Sequence, residues 1–173
     1  MCETLLTARR FSVRRHWISL ADGRKVAREV VIHPGAVVIL PLLEDGRVVM
    51  IRQLRHAVDQ TLLELPAGTL EADEQPMDCA VRELEEETGY RAAAIEPLTT
   101  FYTSPGVLSE TMYAFVARGL THVGQRLDET ERIDVECMTL DDVAHLLRGG
   151  KLRDGKTIAA LATYLLRTDS AAS

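Results

Sequence analysis

The sequence predicts an α+β fold, an α/β/α sandwich with a mixed sheet between helices, preceded by an N-terminal β-hairpin. Three observations predict it. The patterns run as several strands, one helix, more strands and then two terminal helices, an order that suits a sheet held between helical layers. The first helix is marked at both ends, by Pro76 at its start and Gly89 at its stop. The 173 residues suffice for one domain with a real core but hardly for two, and no repeats, low-complexity tracts or Pro/Ser linkers divide them.

Residues 1–10 read as a loose terminus. Residues 11–20 alternate as a strand, Ala21-Asp22-Gly23-Arg24 is a turn signal, and residues 26–32 return as a second strand. His33-Pro34-Gly35 ends this hairpin, because Pro cannot extend a ladder and Gly permits unusual dihedrals. The chain so divides into an extension, residues 1–33, and a main domain, residues 34–173. Residues 36–43 form a continuous apolar run, Glu44-Asp45-Gly46 a turn and residues 47–54 a second strand, for which a buried hairpin is the simplest account. Residues 61–65 are a short strand leading through Pro66-Ala67-Gly68 to the helix. On that helix Met77, Ala80, Val81 and Leu84 share an apolar stripe, while Glu83, Glu86 and Glu87 gather on another face. Residues 94–102 and 111–117 read as strands separated by Ser104-Pro105-Gly106, and residues 119–131 as a polar, acid-rich loop. After a strand over residues 133–138, Thr139-Leu140-Asp141-Asp142 opens a helix as a variant capping box, and Gly149-Gly150 stops it. The last helix covers residues 157–167, with Ile158, Leu161, Leu165 and Leu166 largely on one face.

Bulk properties exclude several functions. A net charge of −6 argues against a general binder of nucleic acid or anionic membrane, since those rely on basic surfaces. Cys2, Cys79 and Cys137 are an odd number without metal-ligand spacing, which reads as reduced thiols in a cytoplasmic protein. No run approaches the roughly 18 apolar residues of a membrane span, and the N-terminus lacks an apolar signal stretch.

The acid face carries the chemistry. Carboxylates at i, i+3 and i+4 repel by roughly 0.2–0.5 kcal/mol per pair, so the cluster gains an isolated helix nothing. A divalent cation reverses the sign, and hard oxygen ligands on a short arc suit Mg2+ or Mn2+ bridging to phosphates. Gly68, Glu74, Arg82-Glu83-Leu84, Glu86-Glu87 and Gly89-Tyr90 match the spacing G-x5-E-x7-R-E-U-x-E-E-x-G-U at every fixed position. The chain thereby resembles the Nudix hydrolases, which cleave nucleoside diphosphates linked to another moiety with metals held by the glutamates of this helix.

Beyond that box the chain is most similar to the ADP-ribose pyrophosphatase group, from about residue 11 to the last helix. The likeness rests on Arg28-Glu29-Val30-Val31 with His33-Pro34-Gly35-Ala36-Val37, on Arg52-Gln53-Leu54-Arg55, on Glu64-Leu65-Pro66-Ala67-Gly68, and on Tyr102-Thr103-Ser104-Pro105-Gly106. It implies the Nudix-type sandwich, Mg2+ or Mn2+ as cofactor, and hydrolysis of ADP-ribose to AMP and ribose 5-phosphate. Another nucleoside diphosphate sugar, such as GDP-mannose or ADP-glucose, is the alternative substrate. A non-catalytic ADP-ribose sensor is the alternative of another class, though sensors usually carry a degraded box and this one is complete.

Cutting a pyrophosphate requires neutralised charge and a deprotonated water in line with the bond. Glu83 and Glu87, one turn apart, are the first expected metal ligands and Glu86 the third, with the carbonyl of Ala67 implied by the family. Glu74 is expected to reach the metals through water, and Arg82 to orient a glutamate or meet substrate. Gly68 lets backbone approach the metal. The resemblance places the general base in the loop matched by Asp128-Glu129-Thr130-Glu131, with Glu131 first, Glu129 second and Glu86 after them. It also implies that Glu110 binds metal-bound water or the terminal ribose, and that Pro105 is the group's characteristic proline, with a structural or a substrate-selecting role. Arg28 and Glu29 match hairpin residues that cross to the other subunit of a homodimer and help to hold adenine. Arg52 and Arg55 are expected on one strand face, Arg55 ahead of Arg52 as a phosphate contact, with edge protection the plain alternative. Trp17 either stacks on a base or sits in the core, and His33, His56, His122 and His145 show no ligand spacing.

Overall fold

The computed structural model describes residues 2–127 and 131–171. In chain order the elements are β1 (Cys2–Thr7), β2 (Ser12–Ser19), β3 (Lys25–Ile32), β4 (Ala36–Pro41), β5 (Arg47–Arg55), β6 (Gln60–Glu64) and β7 (Ala67–Thr69). They continue with α1 (Pro76–Thr88), β8 (Tyr90–Tyr102), β9 (Thr111–His122), β10 (Ile133–Thr139), α2 (Leu140–Arg148) and α3 (Gly155–Ala171).

The central sheet has the order β7-β4-β9-β8, and β4 runs parallel to β9 but antiparallel to β7, so it is mixed. Side chains alternate across β4. Val38 and Leu40 join a core with Val143 of α2 and Ala160 and Leu161 of α3. Val37 and Ile39 join a second core with Cys79, Ala80 and Leu84 of α1. One helix covers one face and two cover the other, which is the expected α/β/α sandwich. Leu84 is fully buried, and truncating such a residue to Ala costs about 2–5 kcal/mol.

Several local expectations need correction. The expected buried hairpin of β4 and β5 exists only at its turn, where Leu43 N–H donates to Arg47 O at 2.8 Å and Leu42 bridges Val48. Beyond the turn the strands part, and β5 lies between β10 and β6 in a separate sheet. Strand β4 and residues 48–51 of β5 are apolar on both faces, so periodicity holds no information about their partners. The expected loose terminus contains β1, which adds a third strand to the hairpin of β2 and β3. All of β1 is exposed, leaving no burial alternation to read. Tyr90 follows the α1 cap directly into β8, and β9 runs on to His122, so the first four residues of the expected loop over 119–131 are strand. Val81 is 43% exposed and lies outside the apolar stripe, whereas Cys79 is fully buried. In α2 the expected cap forms, Thr139 Oγ1 accepting from Asp142 N–H at 3.1 Å.

The N-terminal strands form a sheet separate from the other two. It is tied by its edge, where Val31 N–H donates to Val107 O at 2.8 Å and Ser109 N–H to Val31 O at 2.9 Å.

Candidate active site

Two adjoining clefts open beside α1. The first, of about 810 Å3, has Glu83, Glu86, Glu87 and Glu131 on its walls, with Ala67 and Gly68 of β7 opposite. The second, of about 670 Å3, shares Arg10, Arg55, Ala67, Gly68 and Thr69 with the first and extends to Glu110 and Lys156. The expected ligand set, Ala67, Glu83, Glu86 and Glu87, therefore lines one cavity with Arg82, Arg55 and the first base candidate. Glu129 lies outside the described residues.

Helix geometry presents the acids, and β7 holds them close. Gly68 is required by space, since a Cβ there would lie 1.8 Å from Cδ of Glu83. Ala67 N–H donates to Glu87 Oε2 at 2.8 Å. Glu87 is only 2% exposed, and burial pushes its carboxyl up to about 8. The Ala67 N–H and Arg55 oppose that rise, while the charges of Glu83 and Glu131 add to it. Burial likewise raises Glu83, against the pull of Arg82. Arg82 Nη1 donates to Glu83 at 2.7 Å and to Glu86 at 3.1 Å, while Nε and Nη2 grip Glu74 at 2.9 and 3.0 Å. The guanidinium hydrogen bonds hold Glu74 down to about 2. Arg82 thus hydrogen-bonds three acids, a geometry compatible with the first of its two expected roles.

The residues fit a hard divalent cation in kind. Four carboxylates share one cavity with Ala67, and two of the carboxyls, Glu83 and Glu87, are pushed up by burial and by the charges of neighbouring carboxylates, which a cation there relieves. Among the described residues no three of these acids are drawn into a closed ligand cluster. Arg82 and the Ala67 N–H each hold an acid by its own partner, and like charges keep apart.

Arg52 and Arg55 do not share a strand face. Three residues apart on β5, they point to opposite sides. Arg52 reaches Glu136 on the neighbouring strand at 2.7 Å and lines neither cleft, whereas Arg55 lines both. Arg55 forms a bidentate pair with Glu64 at 2.8 and 2.7 Å. Glu64 is fully buried and is also met by Lys156, which pairs Asp154 at 2.9 Å. Breaking a buried ionic group of this kind by removing one member costs about 3–5 kcal/mol.

Other expected residues stand apart. Glu29 pairs with Arg15 at 2.7 Å on the N-terminal sheet, and neither it nor Arg28 lines a cleft of this chain. Pro105 is exposed in the turn after β8 and lines neither cleft. Glu110 of the second cleft accepts from Thr103 Oγ1 at 2.6 Å and lies 3.4 Å from Nδ1 of His33, which itself lines the first cleft. Trp17 is 41% exposed and is no core residue. Three residues went unread in the sequence. Arg9 and Arg10, in the link from β1 to β2, reach the first cleft, and Gln53 lines it with a buried Oε1 that has no partner among the described residues. Arg9-Arg10 in a stretch taken for a loose end gave no signal, while Gln53 stood inside a quoted motif.

Comparison with known proteins bears on this geometry. The model of the NUDIX domain matches residues 32–161. An ADP-ribose pyrophosphatase of Bacillus subtilis (strain 168) is 40% identical over 146 residues, spanning 83% of this chain and 79% of that protein. A methanol dehydrogenase activator of Bacillus methanolicus is 36% identical over 161 residues, spanning 92% of this chain and 87% of that protein. A solved structure of an ADP compounds hydrolase superposes with a TM-score of 0.85 at 24% identity, over 98% of this chain and 92% of that one, which shows a shared fold.

Proposed function

The chain belongs to the NUDIX family, and from that premise we propose that it is a divalent-metal-dependent pyrophosphatase splitting ADP-ribose into AMP and ribose 5-phosphate. The observation that carries the reading is the acid wall of Glu83, Glu86, Glu87 and Glu131 around one cleft, with Arg55 and Arg10 where it meets the second. Two joined cavities suit a substrate of two halves linked by a diphosphate. The 40% identity to an ADP-ribose pyrophosphatase over most of both chains favours ADP-ribose among such substrates.

Glu83, Glu87, Glu86 and the Ala67 carbonyl would hold Mg2+ or Mn2+. When bound, the metal supplies neutralisation of phosphate charge and a lowered pKa of water. Glu131 takes the proton of the attacking water. The water oxygen bonds to one phosphorus as its bond to the bridging oxygen breaks, and that oxygen leaves on the other phosphate. Arg82 holds Glu83 and Glu86 in place. Arg55, oriented by its bidentate pair with Glu64, offers Nη1, unengaged among the described residues, to a phosphate.

We further propose that residues 1–33 are an extension for dimerisation. Leu6 and Trp17 lie on one face of the N-terminal sheet and are 52% and 41% exposed, and a second copy would cover them. Arg28 and Glu29 would then meet substrate in the partner's cleft. Free Cys2, Cys79 and Cys137 support a reducing compartment, the cytoplasm. Among the described residues no helix is long and apolar enough to cross a membrane.

The test is a panel of nucleoside diphosphate sugars with Mg2+ or Mn2+, read by phosphate-containing products. Selective turnover of ADP-ribose supports the reading. Preference for GDP-mannose or ADP-glucose redirects the substrate, and tight ADP-ribose binding without turnover would make the chain a sensor.

A further inference from the structure

Residues 123–126 close on the C-terminal end of α1 through main chain and side chain at once. Val123 and Gly124 N–H groups both donate to Gly89 O, at 2.7 and 3.1 Å, and Arg126 N–H donates to Glu86 O at 3.0 Å. Gln125 Nε2 donates to Glu87 O at 2.6 Å and also to Ile133 O at 3.4 Å. Carbonyls of a helix's last turn have no intrahelical partner, and here Glu86 and Glu87 receive theirs from this segment. The approach is close: a Cβ on Gly89 would lie 2.7 Å from Gln125 N. Arg126 adds a 3.2 Å contact from Nη2 to Glu85 Oε2.

The consequence lies at the cleft. The chain leaves Gln125 and is back at Ile133 beneath the same side-chain amide, and Glu131 stands two residues before that return. Glu131 faces the first cleft with Glu83, Glu86 and Glu87. We infer that Gln125 is a positioning residue for Glu131, tying the start of β10 to the helix end that bears the acids and so setting the distance between base and ligands. The inference rests on the reading of Glu131 as base. A single amide group with two donors meets both carbonyls, which a carboxylate of the same length does not. A base displaced by about 1 Å loses on the order of 10²-fold in rate, so a rigid tie matters more to turnover than to folding.

The test uses the full chain with Mg2+ and ADP-ribose. Gln125→Met keeps the stem and removes both donors. We expect kcat to fall about 10- to 100-fold with KM within about threefold. Combined with Glu131→Gln, it should add less than about threefold to the loss from Glu131→Gln alone, because a misplaced base and an absent base are one loss. Losses that multiply in the double variant would overturn the inference, since Gln125 would then act by another route. Wild-type kcat in Gln125→Met beside a disabled Glu131→Gln overturns it and leaves the base in place. Wild-type kcat in Glu131→Gln overturns the base and the inference together. If the Met variant does not fold, Gln125→Asn, whose amide falls one methylene short, is read through the same cycle, and wild-type kcat there is equally fatal.

Discussion

Gly68→Ala separates the geometry of the acid wall from its chemistry, because it leaves every carboxylate in the chain. A Cβ at that position would lie 1.8 Å from Glu83 Cδ, 1.9 Å from Oε1 and 2.4 Å from Cγ. Gly68 is not among the glycines at positive φ, so its backbone accepts Ala without strain. All of the strain falls on Glu83, whose carboxyl must retreat by roughly 1.5 Å to reach ordinary contact, and a shift of that size corresponds to about 10²-fold or more in rate. The obstructing atoms are the far end of a flexible side chain, and what the fold loses is chiefly the 2.7 Å contact from Arg82 Nη1 to Glu83. That is worth about 1 kcal/mol at a part-buried site, or about 2–4 °C in Tm for a chain of this size. Steady-state hydrolysis of ADP-ribose at saturating Mg2+, set beside calorimetric unfolding, reads both effects. Turnover within about threefold of wild type would refute the placement of Glu83 against β7. A drop in Tm well beyond 10 °C, on the order of several kcal/mol, would instead make the close approach a folding constraint.

Three further outcomes are expected. Glu87→Gln should lower the rate by several orders of magnitude, on the scale of about 10²–10³ or more for a lost electrostatic contact, with Tm little changed; near-normal turnover would remove Glu87 from the site. Glu74 is held down to about 2 by hydrogen bonds from Arg82. A depressed carboxylate stabilises the fold above its unfolded pKa of about 4.3, and that contribution is lost as pH falls toward 2. Glu74→Gln should therefore destabilise by about 1–2 kcal/mol at pH 7, after allowance for solvent screening, and the difference from wild type should shrink as acid denaturation is followed downward. A pH-independent difference would mean that the loss is packing and not charge. Trp17→Lys should convert the proposed dimer to monomer in light scattering, because it sets a charge into the exposed apolar face of the N-terminal sheet; a dimer that persists would place the interface elsewhere.

How much could be read in advance depended on whether a signal was local. The helix Pro76–Thr88 declared itself by a proline, a glycine and two distinct faces, and its acids line one cleft as the spacing required. The partition of β4 and β5 between two sheets was not legible, because strands that are apolar on both faces fit either partner. Strand β1 was missed for the opposite reason, since every residue in it is exposed. The opposed faces of Arg52 and Arg55 were legible, because a spacing of three in a strand fixes them, and the expectation of one shared face ignored that rule. That Lys156 joins Arg55 on the Glu64 carboxylate, from a distant part of the chain, could come only from the fold.

The grip of Arg82 explains why the acidic helix is stable and yet remains available to a cation. Glu83 and Glu86 on adjacent turns would repel, but one guanidinium meets both through Nη1, its opposite edge fixed on Glu74 in the segment before the helix. The two edges differ in strength. Glu74 takes two short bonds in fork geometry, while Glu83 and Glu86 divide one nitrogen. Nη1 engages one oxygen each of Glu83 and Glu86, which leaves the other for a cation, and the fork on Glu74 anchors Arg82 at the cleft wall. Replacing Arg82 by Lys keeps a positive charge but offers no fork, so a single ammonium would have to choose between Glu74 and the pair. Arg82→Lys should therefore leave the fold within about 1 kcal/mol of wild type and raise the Mg2+ concentration needed for half-maximal turnover, because the ammonium follows Glu83 and Glu86 into the cleft. An unchanged Mg2+ requirement would show that the Glu74 fork does not govern access to the acids.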